Sequence, residues 1–151
     1  MNIKFNDLLK QNKTIYKKSL KIFKNVIDKS HFIGGQGLIN FETKFKEKTK
    51  SNFCVGVGNG TDGLIISLKC LGIGKGDEVI TTAHSWVATA GAIIACGAKP
   101  IFVDVDEYFC INPTLIEKKI NKKTKAIIPV HLYGQACEID KIMKIAKKYR
   151  L

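Results

Sequence analysis

Residues Gly58-Asn59-Gly60-Thr61-Asp62-Gly63 read GNGTDG and have the form G-x-G-x-x-G. They follow the apolar run FCVGV at residues 53–57 and precede LIISLKCL at residues 64–71. A strand, a glycine-rich turn and a helix in that order aim free backbone N–H groups and the positive end of a helix dipole at one point, where an anion would sit. The same pattern opens the dinucleotide-binding fingerprint. That fingerprint also needs an acidic residue about 20 positions later, at the carboxyl end of the second strand. Here the second strand is EVIT, residues 78–81, and its far end reads TTAHSW. Asp77 and Glu78 stand at its beginning, the wrong end of the sheet. The dinucleotide reading therefore fails, while the physics of the loop survives. The loop's residues alone leave two readings open. One is a phosphate site to which Thr61 adds a hydroxyl donor. The other is a helix capped by Asn59 or Thr61 with no ligand.

From residue 53 onward, apolar runs of strand length alternate with helical stretches. Expected strands are Phe53–Val57, Glu78–Thr81, Pro100–Val103 and Ala126–Val130. Expected helices are Thr61–Leu71, Trp86–Ala95, Pro113–Ile120 and Ile139–Tyr149. Asn112 suits an N-cap and Pro113 the first turn after it. This alternation predicts an α/β fold with a mostly parallel sheet flanked by helices. Before it, Tyr16, Leu20, Phe23 and Ile27 recur at steps of four, three and four, an apolar stripe on one helix. A second helix is expected from Leu38 to Lys48, with Leu38, Phe41 and Phe45 facing inward. The glycine-rich SHFIGGQG lies between the two.

Composition bounds the function. The chain has 151 residues, 45% hydrophobic and 25% charged, which is ordinary for a globular domain. No apolar run approaches the roughly 18 residues of a membrane span, and MNIKFNDLLKQNK lacks the apolar centre of a signal peptide; a cytoplasmic protein without a membrane partner is expected. The net charge of +12 raises nucleic acid as a partner. Against it, only Arg150 among 25 basic residues is an arginine, and the lysines are spread along the chain. Lysine-coated solvated faces are the expectation, with no nucleic-acid partner. Cys54, Cys70, Cys96, Cys110 and Cys137 show no C-x-x-C spacing. They read as reduced structural thiols with no metal site.

Trp86, the single tryptophan, falls just past a strand's carboxyl end, where open α/β sheets bind ligands. Its indole could stack on a flat ring; from placement alone, capping the core is the favoured reading. His131 and Tyr133 in PVHLYGQ take no firm role from the sequence; a hydrogen-bonded structural imidazole is at least as good a reading as a functional one for His131 and His84, and a better one for His31. Asp104 and Asp106 in FVDVD suggest either paired carboxylates or a metal, or solvated carboxylates at a strand end, and the last is the favoured reading.

Taken together, GNGTDG, GDEVIT, PIFVDVD and KAIIPVHLYGQ in this order resemble the amino-terminal part of the DegT/DnrJ/StrS-type sugar aminotransferases, enzymes dependent on pyridoxal 5'-phosphate (PLP). The likeness runs from about Phe32 to Leu151, and the first 30 residues match loosely. It implies a fold-type I PLP-dependent transferase large domain, of which this chain carries the amino-terminal portion. Residues 1–36 would form a helical segment and glycine-rich loop, and residues 37–151 part of the PLP-binding domain. It implies transfer of an amino group from an amino acid donor to a nucleotide-linked keto-sugar in polysaccharide biosynthesis, by a homodimer when full length. By the same resemblance Gly60, Thr61 and Asp62 fall on the cofactor-phosphate loop and Trp86 on the aromatic that stacks against the pyridine ring. Gly63 departs from the family's usual alanine. No residue here matches the family's Schiff-base lysine or the aspartate that pairs with the ring nitrogen. The chain is therefore expected to be a fragment, inactive by itself. Two alternatives stand beside this reading: part of a PLP-dependent sugar dehydratase of the same family, and a non-catalytic phosphate- or nucleotide-binding module.

Overall fold

The computed structural model describes residues 6–151, which divide into two compact units, residues 6–56 and 57–151.

The first unit is helical. Helix α1 spans Leu8–Asp28, and its N-cap Asp7 accepts the Lys10 N–H at 3.1 Å. Helix α2 spans Gln36–Thr49 and follows Gly34 and Gly35, both at positive φ. Both helices are longer than their apolar periodicity marks. The inward-facing expectation does not hold: Leu38, Phe41 and Phe45 are exposed, as is the α1 stripe of Tyr16, Leu20, Phe23 and Ile27. Neither helix contains a buried residue. The stripes are real, but among the described residues of this unit nothing covers them. The expected strand Phe53–Val57 is also absent. Its β-branched and aromatic composition favours extended backbone, yet a strand exists only where a neighbour completes its ladder. The Gly56 N–H instead donates to Glu42 Oε1 at 2.7 Å.

The second unit is a three-stranded parallel sheet with helices on both faces. In chain order it runs α3 (Gly60–Cys70), β1 (Glu78–Thr82), α4 (Ala88–Ala95), β2 (Lys99–Val103), α5 (Pro113–Ile116), β3 (Thr124–Ile127) and α6 (Ile139–Tyr149). The strand order is β2-β1-β3, so β1 is central. Ile80 pairs in register with Ile101 on one side and Ile127 on the other; Val79 pairs with Pro100 and Ala126. Because side chains alternate across a strand, these two rows point to opposite faces. Ile80 joins Val103, Ile111, Ile116 of α5 and Ile142 of α6 in one core. Val79 joins Leu68 of α3 and Ala92 and Ile93 of α4 in another. Val79 and Ile80 are both fully buried, as a central parallel strand requires.

Local chemistry sets the element ends. Asn112 accepts the Thr114 N–H at 3.0 Å ahead of Pro113. Helix α5 lasts one turn and passes into a 3-10 turn at Glu117–Lys119, shorter than the expected Pro113–Ile120. Strand β3 ends at Ile127 rather than Val130, although Ile128 still donates its N–H to the Ile80 carbonyl at 2.8 Å. Beyond the strand, Thr81 satisfies its buried hydroxyl on the Ile128 carbonyl at 2.9 Å.

All five cysteines are free, and Cys110 and Cys137 are buried in the core beneath α5 and α6. Burial, together with the adjoining Cys110 thiol, pushes the Cys137 thiol up from its ordinary 9.0 to about 11. A raised folded-state value means that the fold holds the neutral thiol. This contribution to stability is complete below pH 9 and is lost as pH rises to about 11. Urea unfolding between those values should show falling stability, with a shallower slope in Cys137→Ala. At pH 7.5 a thiol reagent followed by peptide mass spectrometry should label exposed Cys70 first, and Cys110 and Cys137 only on unfolding.

Candidate functional site

Parallel strands end on the same edge of their sheet, so the segments after β1, β2 and β3 gather there. The glycine loop stands at the start of α3. Asn59 adopts extended backbone, and its Oδ1 accepts the Asp62 N–H at 2.9 Å, while its Nδ2 donates to Asp62 Oδ2 at 3.0 Å. This reciprocal pair caps the helix. It also explains Gly58, because a Cβ there would lie 2.6 Å from Asp62 Oδ2. A Cβ at Gly63 would meet Val57 at 3.6 Å, an ordinary contact, so alanine fits that position equally well.

The cap leaves donors over. The Gly63 N–H goes to the Asn59 carbonyl and the Asp62 N–H to the Asn59 side chain. Among the described residues, no hydrogen bond takes up the N–H of Gly60 or Thr61, or the Thr61 hydroxyl. The space that a side chain at Gly60 would enter is empty. Three donors therefore point outward from a helix N-terminus, and the Asp62 carboxylate is turned back onto Asn59.

Trp86 lies in the turn between β1 and α4 and is 77% exposed. The core-capping reading fails: the chain bends at residues 83–87, and the α4 residues that reach the core are Thr89, Ala92 and Ile93. The indole is free on the surface.

Over the carboxyl ends of β1 and β2 lies a cavity of about 630 Å³ lined by Thr82, His84, Asp104 and Phe109, among others. At its rim three rings meet. His84 lies 5.6 Å from Phe109 and 5.9 Å from Tyr133 between ring centroids; Phe109 and Tyr133 meet edge to face at 6.1 Å and 86°. The Tyr133 hydroxyl approaches His84 Nε2 at 3.4 Å. Phe109 (φ 62°) and Tyr133 (φ 56°) are both left-handed, a conformation that costs a bulky residue about 1–2 kcal/mol. Each is held there by its loop. Asp106 Oδ1 accepts the N–H groups of Tyr108 and Cys110, and Val105 bridges to Ile111. On the other side, His131 Nδ1 accepts the Cys137 N–H at 3.0 Å, and Cys137 Sγ donates to the Val130 carbonyl at 3.1 Å.

These contacts settle three sequence readings. His131 is a structural imidazole, with the proton on Nε2. Asp106 is a turn brace rather than a solvated carboxylate. His84 belongs to the cavity. The pairing of Phe109 with Tyr133 has no signal in the sequence, because neither EYFCIN nor HLYGQ marks a non-glycine residue as left-handed. Among the described residues no cluster of metal-ligating side chains occurs, and no helix is long and apolar enough to cross a membrane.

Comparison with known proteins places this geometry. The chain is 41% identical to the pleiotropic regulatory protein of Geobacillus stearothermophilus over 100% of its own length. It is 40% identical, over 99% of its length, to the dTDP-3-amino-3,6-dideoxy-alpha-D-galactopyranose transaminase of Aneurinibacillus thermoaerophilus. It spans about 41% of the length of each. Among solved structures, DesV of S. venezuelae superposes with a TM-score of 0.95 at 33% identity, covering 99% of this chain and 40% of that one. NtdA from Bacillus subtilis, solved with bound cofactor PMP, gives 0.85 at 38% identity over 87% of this chain and 31% of that one. The model of the DegT/DnrJ/EryC1/StrS aminotransferase family matches residues 13–151, well before Phe32, where the motif likeness begins. The chain therefore belongs to the DegT/DnrJ/EryC1/StrS aminotransferase family.

Proposed function

We propose that this chain supplies the cofactor cradle of a PLP-dependent aminotransferase that moves an amino group from an amino acid donor to a nucleotide-linked keto-sugar. The observation that carries the reading is the set of unspent donors at the start of α3, in a chain of this family. The Gly60 and Thr61 N–H groups and the Thr61 hydroxyl suit a phosphate dianion, and the open space at Gly60 admits it. Asp62 serves this site through Asn59, whose amide keeps the carboxylate off the bound anion. The exposed Trp86 indole would stack on the pyridine ring.

When bound, PLP supplies an electron-withdrawing ring that stabilises charge at the carbon bearing the amino group. The residues described here bind and orient it. No lysine lines the cavity at the strand ends, and none in the chain stands in a match to the family's Schiff-base position. A homodimer, a cytoplasmic setting consistent with five free thiols, and a role in polysaccharide biosynthesis complete the proposal.

Three outcomes check it. The 151-residue chain mixed with PLP, an amino donor and nucleotide-linked keto-sugars yields no amino-sugar by mass spectrometry; PLP-dependent turnover contradicts the assignment of roles. Thr61→Ala weakens PLP binding by about tenfold, the worth of one hydrogen bond to a charged group, and leaves the affinity for pyridoxal, which lacks the phosphate, unchanged. Asn59→Ala costs about 1 kcal/mol of stability in urea unfolding and also weakens PLP binding, because Asp62 is released toward the phosphate.

A further inference from the structure

We infer that the hydroxyl pair of Ser85 and Thr89 sets the position of Trp86 for the cofactor, which makes both of them positioning residues. The inference rests on the proposed function, which gives Trp86 a place on the pyridine ring and leaves open what holds the indole there.

The first observation is a hydroxyl on the core face of a helix. Helix α4 turns Ala92 and Ile93 to the core. Thr89 stands one turn before them on the same face, and it is 6% exposed. Valine has nearly the same shape and would serve that core without a polar atom. A buried hydroxyl costs free energy unless it is bonded. The Thr89 oxygen lies 2.8 Å from Ser85 Oγ, and among the described residues no buried side-chain nitrogen or oxygen lacks a partner. Core packing gives no reason for this hydroxyl. The turn it reaches does.

The second observation is how that turn is tied down. Val87, the residue before the first turn of α4, makes no side-chain cap bond, so the helix start lacks the usual fixture. Thr89 takes its place. Its hydroxyl pairs with Ser85, and its N–H donates to the Trp86 carbonyl at 3.0 Å. On the strand side, Thr82 Oγ1 accepts the His84 N–H at 3.2 Å, and the Ser85 N–H donates to the Ala83 carbonyl at 2.9 Å. Thr82 is itself buried. Two buried threonines thus grip the turn from its two ends. Trp86 stands between them, with its own carbonyl and the preceding side chain both bonded to Thr89. The direction in which its side chain leaves the backbone is therefore set before any ligand arrives. A stacked contact depends on the placement of the ring, and a ring already in place binds without the cost of ordering it.

The experiment is equilibrium dialysis of PLP, read by the cofactor's absorbance, with fluorescence followed alongside. Trp86 is the single tryptophan, so its emission reports on that ring alone. In the wild type, bound PLP quenches Trp86. Trp86→Ala weakens PLP binding about tenfold, the worth of an aromatic pair. Ser85→Ala and Thr89→Val each weaken it about fivefold and leave part of the emission unquenched at saturation, whereas Thr89→Ser restores both. Joined to Trp86→Ala, neither substitution weakens binding further, because each acts through the indole. A double variant weaker than Trp86→Ala by the full factor of the second substitution overturns the inference, since the pair then acts on the fold at large. Wild-type affinity and quenching in Ser85→Ala and Thr89→Val overturn it too. Ser85→Ala removes the same bond from its half-buried end, and it decides the matter if Thr89→Val does not fold. Wild-type affinity in Trp86→Ala overturns the inference together with the stacking role and leaves the phosphate cradle standing. Failure of the wild type to bind PLP removes both readings.

Discussion

Two adjacent residues, Val79 and Ile80, face opposite ways and are both fully buried, and the second unit depends on that. A strand buried on both sides must lie in the middle of a sheet with helices above and below. Ile80 collects α5 and α6; Val79 collects α3 and α4. Parallel neighbours on both sides then bring three strand ends to one edge. The aromatic cluster is a consequence: His84 follows β1, Phe109 follows β2 and Tyr133 follows β3. A polar substitution at Val79 or Ile80 would strike the site through the fold, without touching a residue of the site.

The two parts of the site are built on different principles. At α3 the fold leaves donors unspent, and Asn59 does two tasks at once. It caps the helix and restrains the one carboxylate that would repel an anion. At the strand ends the fold holds strained aromatic rings over a cavity with an acidic wall. The first is suited to an anion.

Much of the second unit was legible in the sequence. Helix α6 runs Ile139–Tyr149 as its periodicity predicts, and β1 and β2 each differ from expectation by one residue. These elements pack within the unit, so pattern and environment agree. Phe53–Val57 misled because a pattern records a preference and cannot record whether a partner strand is present. The stripe on α1 was read correctly as a stripe, and Leu38, Phe41 and Phe45 of α2 wrongly as facing inward, for the same reason. Within the site, GNGTDG was readable because glycines, a cap residue and a helix start leave a local trace. Trp86 was placed in the right turn, but its exposure depends on where α4 begins, two residues later than periodicity indicated. Phe109 and Tyr133 were out of reach, since their left-handed backbone is imposed by contacts from Asp106, His131 and Cys137 across each loop.

The central claim is that the start of α3 is a cradle for the cofactor's phosphate. It is tested most directly by following the backbone amide resonances of Gly60 and Thr61 while titrating PLP and, separately, pyridoxal, which lacks the phosphate. The account predicts that both amides shift with PLP, saturably, and stay in place with pyridoxal. Equal shifts with the two compounds, or PLP binding that leaves Gly60 and Thr61 unmoved, would contradict it.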